Sequence, residues 1–291
     1  MPLEKDLEKP TSKYGQWRVL AAIALCWAGW QLPAQSTRMQ GKAPATKPAD
    51  SLATLIQKAN QGNAAAQFAL GLLYDLSINV PKHETQAAVW YRKAADQGNA
   101  DAQYSLGVMY DQGQGVPQSY TQAAAWFRKA ANQGNADAQS NLGVLYDQGH
   151  GVPQDETQAA AWWRKAADQG NADAQYNLGL MYAQGHGVPL SYTQAAAWYR
   201  KAADQGNEAA QIQLGLLYDE GHGVPQSYED AYFWLNLGAS HFDPTVTTGD
   251  VTQKELDSIR DDAAAHLSPT QLERVQRRAQ AWLAAHPAPA Q

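Results

Sequence analysis

Histidine is the residue whose type and spacing first suggest chemistry in this sequence. The pentapeptide Gly-His-Gly-Val-Pro occurs three times and places His150, His186 and His222 at a constant interval of 36 residues. A neutral imidazole is a common metal ligand, and its protonation near neutral pH suits a proton-dependent switch. The pattern therefore raises two hypotheses, a metal site and a pH-sensitive rim.

Motifs of the common enzyme classes do not occur in the sequence. It has no Gly-x-Ser-x-Gly, no Ser-x-x-Lys, no His-Glu-x-x-His and no phosphate-binding Gly-x-x-x-x-Gly-Lys-Ser/Thr. Cys26 is the only cysteine, which excludes a disulfide framework and a thiolate zinc site. The net charge of −6 offers no electrostatic attraction to nucleic acid. We therefore predict a protein that is not an enzyme and does not bind nucleic acid.

The histidines belong to a periodicity that runs through most of the chain. Four other residue types recur at the same interval of 36 residues. A fixed period in this range is typical of stacked supersecondary units. The recurring residues are Gly71, Gly107, Gly143, Gly179 and Gly215; Tyr74, Tyr110, Tyr146, Tyr182 and Tyr218; Pro81, Pro117, Pro153, Pro189 and Pro225; and Trp90, Trp126, Trp162, Trp198 and Trp234.

Each repeat has the pattern of two helices joined by the Gly-x-Gly-Val-Pro loop. In the second repeat, Asn99 is placed to cap a first helix that stops at Gly113, and Ser119 with Gln122 is placed to start a second. The second helix ends at Gly134, so close to the next cap that adjacent helices must run antiparallel. Two helices cannot bury both apolar faces, whereas stacked pairs can. The sequence therefore predicts an all-α solenoid.

This arrangement argues against a shared metal ion. Equivalent positions of neighbouring repeats should lie on the order of 10 Å apart, which leaves the third histidine too far from the first. Zinc needs three or four ligands at about 2.0–2.2 Å. Aspartates precede His150 and His222 by three residues, but Ala183 stands in that place before His186. We predict no metal and no cofactor, with the three histidines as weak metal candidates only.

The blocks AQYNLGLMY, GHGVP and AAAWYRKAADQGN resemble the Sel-1-like repeat family, 36-residue relatives of the tetratricopeptide repeats. The resemblance covers five repeats, from residue 64 to about residue 240. It implies a right-handed α-solenoid of stacked antiparallel helix pairs, with additional C-terminal helices in many members. It also implies that the concave face holds a protein or peptide partner. Some cysteine-rich members have been linked to β-lactam binding or hydrolysis, but their cysteine pairs do not occur here.

The tryptophan of each second helix has two possible roles, a core position or an aromatic ladder for a ligand. Ala123, Ala124 and Ala130 keep the same helix thin where backbones approach, which favours a core position for Trp126. We predict a structural core role for Trp90, Trp126, Trp162, Trp198 and Trp234, and interpret the neighbouring column of Tyr91, Phe127, Trp163, Tyr199 and Leu235 as structural too.

Two columns of the first helices vary between repeats, whereas the packing columns barely change. The resemblance implies that first helices line the concave groove, so varied positions there are candidate partner contacts. Amides can bond the main chain of an extended peptide while aromatic rings contact its side chains. Ordinary solvent-facing variation is the alternative. The mixed column comprises Phe68, Tyr104, Ser140, Tyr176 and Ile212, and the amide column Ala69, Ser105, Asn141, Asn177 and Gln213. The predicted contacts are Tyr104, Ser105, Ser140, Asn141, Tyr176, Asn177, Ile212 and Gln213.

Both ends of the chain carry signals outside the repeats. Basic residues precede an apolar run and a Pro-Ala step, a pattern typical of a secretory signal cleaved near Ala34. The run is shorter than the roughly 20 residues that span a bilayer, and an uncleaved inner-membrane anchor through residues 19–32 is the alternative. Capping signals beyond the repeats predict helices near 253–266 and 269–285. The predicted domains are a signal peptide (1–34), a flexible linker (35–50), the repeat solenoid (51–240) and C-terminal capping helices (241–291).

These observations predict an exported, non-catalytic scaffold that holds a protein or peptide in its concave groove. We expect it in the bacterial periplasm or outside the cell, with envelope assembly, signalling or host contact as candidate roles. It would associate with a membrane only if the N-terminal segment stays uncleaved. Two alternatives stay open: an envelope-modifying or β-lactam-interacting hydrolase of the same fold, and a membrane-anchored structural scaffold.

Overall fold

The computed structural model of the chain describes residues 48–76, 83–240 and 253–286, and every element within these ranges is an α-helix. The helices are α1 (Pro48–Asn60), α2 (Ala64–Asp75), α3 (Glu84–Asp96), α4 (Ala100–Gln112), α5 (Tyr120–Asn132), α6 (Ala136–Gln148), α7 (Glu156–Asp168), α8 (Ala172–Gln184), α9 (Tyr192–Asp204), α10 (Glu208–Glu220), α11 (Tyr228–Ser240), α12 (Gln253–Ala265) and α13 (Pro269–Ala285). Within these ranges, no helix combines the length and the apolar character that crossing a bilayer requires.

Five consecutive helix pairs follow the 36-residue period, which confirms the predicted all-α solenoid. They are repeat 1 (α2–α3), repeat 2 (α4–α5), repeat 3 (α6–α7), repeat 4 (α8–α9) and repeat 5 (α10–α11). Helices α12 and α13 follow the repeats within a residue of the predicted bounds. Helix α1 begins at Pro48, three residues inside the predicted linker. The predicted signal peptide and anchor lie outside the described residues.

Side-chain caps determine where the helices begin. The side-chain oxygen of Asn99 accepts a hydrogen bond from the backbone N–H of Ala102, and an asparagine does the same for every other first helix. Ser119 likewise accepts from the backbone N–H of Gln122 at the start of α5. These bonds satisfy amide groups that the helix itself leaves unpaired, so each repeat starts at a fixed residue. His83, which replaces the cap in repeat 1, makes no such bond.

The glycines of the Gly-His-Gly loop serve two different needs. Gly149 ends α6 in the left-handed conformation with a φ of 69°, which glycine adopts without steric cost. Gly151 also has a positive φ, and a Cβ atom there would lie 2.2 Å from the carbonyl carbon of Tyr120. The second glycine therefore lets the loop contact the start of the second helix in the preceding repeat.

The described residues form two compact bodies, one before Ser119 and one from Ser119 onward. In the first body, Ala59 of α1 and Leu70 of α2 share an apolar cluster with half-buried Trp90 of α3. In the second body, α9 to α11 form the largest cluster together with the terminal helices, which contribute Val275 and Ala279 of α13. Apolar burial between successive helices thus holds each body together.

Large side chains of the second helices, four aromatic rings and one leucine, fill the space beside the first helices. Tyr91, Phe127, Trp163, Tyr199 and Leu235 are all buried. A Cβ atom on Gly143 would lie 2.6 Å from the Trp163 indole nitrogen, and one on Gly179 would lie 2.6 Å from the Tyr199 ring. The recurring glycine therefore admits the ring of the second helix in its own repeat.

The tryptophan column, by contrast, lies partly at the surface. Trp126, Trp198 and Trp234 are buried, whereas Trp90 and Trp162 are half-buried. The Lys165 ammonium lies 3.9 Å from the centre of the Trp162 ring, which is a cation–π contact. The neighbouring column is thus buried in every repeat, whereas the tryptophan column is buried in repeats 2, 4 and 5.

A buried glutamine column links successive helices. Gln175 Nε2 donates to the main-chain oxygen of Ala167 at 3.1 Å, and its Oε1 accepts from Gln205 Nε2 at 2.8 Å. These bonds satisfy polar groups that would otherwise be buried without partners. This column was not predicted from the sequence, although its members recur at the common period. They are Gln67, Gln103, Gln139, Gln175 and Gln211.

Candidate partner-binding surface

The two variable columns of the first helices differ in their exposure. Every member of the amide column is half-buried, including the predicted contacts Ser105, Asn141, Asn177 and Gln213. In the mixed column, Ser140 is 6% exposed and Ile212 is fully buried. The amide column is thus the one that keeps a partly accessible side chain in all five repeats.

Ser140 and Ile212 are therefore corrected from predicted partner contacts to packing residues. The main-chain oxygen of Ser140 accepts a hydrogen bond from Trp163 Nε1 at 3.1 Å, so the indole of α7 covers this position. Ile212 shares an apolar cluster with Leu235 of α11 and Leu256 of α12. A neighbouring helix covers each of these two side chains, and neither can reach a partner.

Tyr104 and Tyr176, the other predicted contacts of the mixed column, are half-buried. The Tyr176 ring lies 5.8 Å from the Tyr199 ring in a tilted arrangement, and burial raises the pKa of the Tyr176 hydroxyl. One side of Tyr176 thus packs on the second helix of its own repeat. Only the remaining part of the ring is available for a partner.

A pocket of about 220 Å³ opens between the first helices of repeats 3 and 4, and we call it the α6–α8 pocket. Its wall combines apolar side chains with amides, one carboxylate and one imidazole. Among the predicted residues, it contains Asn177 of the amide column and His186 of the histidine series. The lining residues are Val144, Asp147, Gln148, Trp163, Asn177, Leu180, Met181, Gln184 and His186.

Asp147 is the acidic group of the α6–α8 pocket. Partial burial raises the pKa of its carboxyl group above the ordinary value of 3.8. The negative charge of Glu156 raises this pKa further, and His186 acts in the opposite direction. Burial and a like charge both disfavour the ionised form, so the pocket holds a carboxylate that a cation would stabilise.

In repeat 1, the aspartate equivalent to Asp147 has a tyrosine as its hydrogen-bond partner. In repeat 1, the Tyr91 hydroxyl donates to Asp75 Oδ2 at 3.2 Å. Repeat 3 keeps the carboxylate as Asp147 but has Trp163 in place of the tyrosine. Trp163 has no hydroxyl group, so it cannot donate to the Asp147 carboxylate as Tyr91 donates to Asp75.

Repeats 4 and 5 each lack one partner of this pair. Repeat 4 has Tyr199 but Ala183 in place of the aspartate, and the buried Tyr199 hydroxyl has no hydrogen-bond partner among the described residues. Repeat 5 has Asp219 but Leu235 in place of the tyrosine, and Asp219 Oδ1 is likewise without a partner in that part of the chain. The same structural position thus has a different polar character in each of these repeats.

The histidines rest separately on the preceding repeat. His186 lies within electrostatic reach of Asp147, whereas three other histidines stack on tyrosines. Across the described ranges, no three His, Cys, Asp or Glu side chains are grouped so that they could hold a metal ion. His266, in the turn between α12 and α13, continues the series and was not identified from the sequence. The stacked pairs are His150 on Tyr120 at 4.6 Å, His222 on Tyr192 at 5.0 Å and His266 on Tyr228 at 4.0 Å between ring centres.

The fold and this surface define a helical-repeat scaffold. The chain belongs to the Sel1 repeat family, whose repeat matches residues 64–99, 100–135, 136–171, 172–207 and 208–241. Sel1 repeat proteins are generally non-catalytic scaffolds that mediate protein–protein interactions. No curated protein matches the chain in sequence.

Two crystal structures show the same architecture in related bacterial proteins. One is a protective antigen of uropathogenic Escherichia coli with an SLR fold, 35% identical, with a TM-score of 0.64 over 79% of this chain and 56% of that chain. The other is a Sel1 repeat protein from Oxalobacter formigenes, 30% identical, with a TM-score of 0.67 over 89% of this chain and 98% of that chain. This chain thus spans little more than half of the Escherichia coli antigen and nearly all of the Oxalobacter protein.

Proposed function

We propose that the chain is an exported, non-catalytic scaffold that binds a protein or peptide partner along the face of its first helices. The observation that carries this proposal is the amide column, which stays half-buried in every repeat while neighbouring positions are packed. Asn141, Asn177 and Gln213 can each donate to and accept from the main chain of an extended segment. The α6–α8 pocket opens beside Asn177 and adds a place for a side chain.

The N-terminal segment supports a site of action beyond the cytoplasm. Its signal-like pattern supports the periplasm or the cell exterior, where a scaffold can serve envelope assembly, signalling or host contact. An uncleaved segment would instead anchor the same scaffold in the inner membrane. Mass measurement of the native protein separates the two forms, because a chain that starts near Gln35 has lost the apolar run.

The α6–α8 pocket does not favour the hydrolase alternative. Hydrolysis through an acyl-enzyme intermediate needs a serine, threonine or cysteine beside a base. The pocket brings Asp147 and His186 together, but its lining contains no serine, threonine or cysteine. Binding is therefore the function that this geometry supports best.

The test compares two triple variants of the exported chain. One changes Asn141, Asn177 and Gln213 to alanine, and should lose a partner that the unchanged chain captures from the envelope fraction. The matched control changes three exposed threonines of the second helices to alanine and should retain that partner. A partner captured equally by all three proteins would contradict the proposed binding face. The control positions are Thr121, Thr157 and Thr193.

A further inference from the structure

We propose that the α6–α8 pocket receives a basic side chain of the partner, lysine or arginine, whose charge pairs with the Asp147 carboxylate. This inference rests on the proposed function and specifies the chemistry that the scaffold recognises. It concerns one side chain in this pocket and does not describe how the rest of the partner binds.

Comparison between repeats supports a hydrogen-bond donor as the occupant. In repeat 1, the carboxylate of Asp75 accepts from the Tyr91 hydroxyl within the protein. In repeat 3, Trp163 supplies no hydroxyl, and its indole N–H is already used in a bond to the Ser140 main-chain oxygen. A donor from outside the chain can therefore take the place that the tyrosine hydroxyl holds in repeat 1.

The walls of the pocket suit the shape of a lysine or arginine side chain. Val144, Leu180 and Met181 provide apolar contact for its methylene groups, and Asp147 can receive its charged end. The Trp163 ring in the same wall can add a cation–π contact. A volume of about 220 Å³ is below the roughly 300–1,000 Å³ of drug-sized sites, so a single side chain is the fitting occupant.

The charges around Asp147 favour a cation over a neutral donor. Glu156 adds a second negative charge, and burial together with this charge raises the pKa of the Asp147 carboxyl group. His186 is the group that acts in the opposite direction. A bound ammonium or guanidinium group would offset both effects, which a neutral side chain of the same shape cannot do.

The test is an NMR titration of the full chain with two small probes, N-acetyl-lysine N-methylamide and N-acetyl-norleucine N-methylamide. The probes share the apolar stem and differ in the ammonium group. We expect the lysine probe to shift the Asn177 side-chain amide signal and to bind about 10-fold more tightly, as expected for one partly desolvated charge pair. Asp147→Asn should remove this preference and leave the weaker apolar binding unchanged.

Asp219→Asn is the matched control, because Asp219 holds the same position in repeat 5 but lies outside the pocket. This variant should keep the preference for lysine. Equal binding of both probes, binding of neither, or a lysine preference that survives Asp147→Asn would each overturn the proposal. A thermal melt of Asp147→Asn confirms that the variant is folded before its titration is interpreted.

The outcomes also separate this proposal from the proposed function. A partner that is lost from the amide triple variant but retained by Asp147→Asn would leave the scaffold function standing and refute the basic side chain. A partner captured equally by the amide triple variant would refute the binding face itself, whatever the probes show.

Discussion

Removing the hydroxyl of Tyr199 should stabilise the protein, whereas removing the hydroxyl of Tyr91 should destabilise it. The two residues hold the same position in repeats 4 and 1, and both are buried. Tyr91 donates to Asp75 Oδ2 at 3.2 Å, but Tyr199 has no partner among the described residues, because Ala183 replaces the aspartate. The same change from tyrosine to phenylalanine should therefore act in opposite directions.

The magnitude follows from the cost of an unpaired buried group. A buried polar group without a partner costs about 1–3 kcal/mol, and part of this is recovered when the hydroxyl is removed. We expect Tyr199→Phe to raise the free energy of unfolding by about 0.5–1.5 kcal/mol, since the small void left by the oxygen offsets some of the gain. Tyr91→Phe should lower it by about 1–2 kcal/mol, because a bond to a charged acceptor is lost.

The assay is urea unfolding of both variants, combined with amide hydrogen exchange of α3 and α9. Exchange is needed because repeats can open locally instead of unfolding as one unit. Ala183→Asp is the complementary variant, since it supplies the missing acceptor in repeat 4. If Tyr199→Phe destabilises the protein as strongly as Tyr91→Phe, the Tyr199 hydroxyl has a partner. The inference that Ala183 leaves this hydroxyl without an acceptor is then refuted.

Three further predictions concern the packing and the pocket. Gln175→Leu should lower the free energy of unfolding by about 1–3 kcal/mol in urea unfolding, because it removes two hydrogen bonds of a buried side chain; Gln205→Ala, which removes only one of these bonds from an exposed residue, should cost less. Gly143→Ala should cost at least about 1–3 kcal/mol in the same assay, since its Cβ atom would lie 2.6 Å from the Trp163 indole nitrogen. Asp147→Asn should raise the urea midpoint at neutral pH. The raised pKa of Asp147 means that its ionisation opposes folding, and this penalty appears as the pH rises through the ordinary value of 3.8 to the higher value in the folded state.

Each of these predictions has an outcome that contradicts it. An effect of Gln175→Leu no larger than that of Gln205→Ala would show that the buried glutamine column contributes little. An unchanged unfolding midpoint for Gly143→Ala would mean that the Trp163 ring can shift without cost. The stabilising effect of Asp147→Asn must disappear near pH 3, where the aspartate is protonated in both states, and its persistence there would exclude ionisation as the cause.

The fold could be predicted from the sequence because local signals agreed with the period. Asn99 and Ser119 cap their helices as predicted, and the Ser268–Gln271 pair forms a complete capping box at the start of α13. These signals act over three or four residues, so the sequence contains them directly. The continuation of the histidine series at His266 could not be predicted in this way, because the turn between α12 and α13 falls outside the 36-residue interval.

Two predicted partner contacts, Ser140 and Ile212, are packing residues instead, because variation between repeats has two physical causes. Repeat 3 places the small Ser140 beside the large Trp163, whereas repeat 4 places Tyr176 beside Tyr199. The mixed column thus adjusts its size to the ring of the second helix, as close packing requires. The residues of the mixed column vary because the facing ring varies in size. From the sequence alone, this variation looks the same as adaptation to a partner.

The same internal variation connects the core to the proposed recognition site. Where the second helix carries a tyrosine, as at Tyr91, its hydroxyl can satisfy the carboxylate of the first helix within the repeat. Where Trp163 takes that place, the ring fills the volume but leaves Asp147 at the wall of an open pocket. The ring at this position thus decides whether the carboxylate has a tyrosine hydroxyl as its internal donor. Under the proposed recognition, repeats with one backbone geometry differ in what they bind, because the ring of the second helix decides whether the carboxylate finds its donor inside the protein.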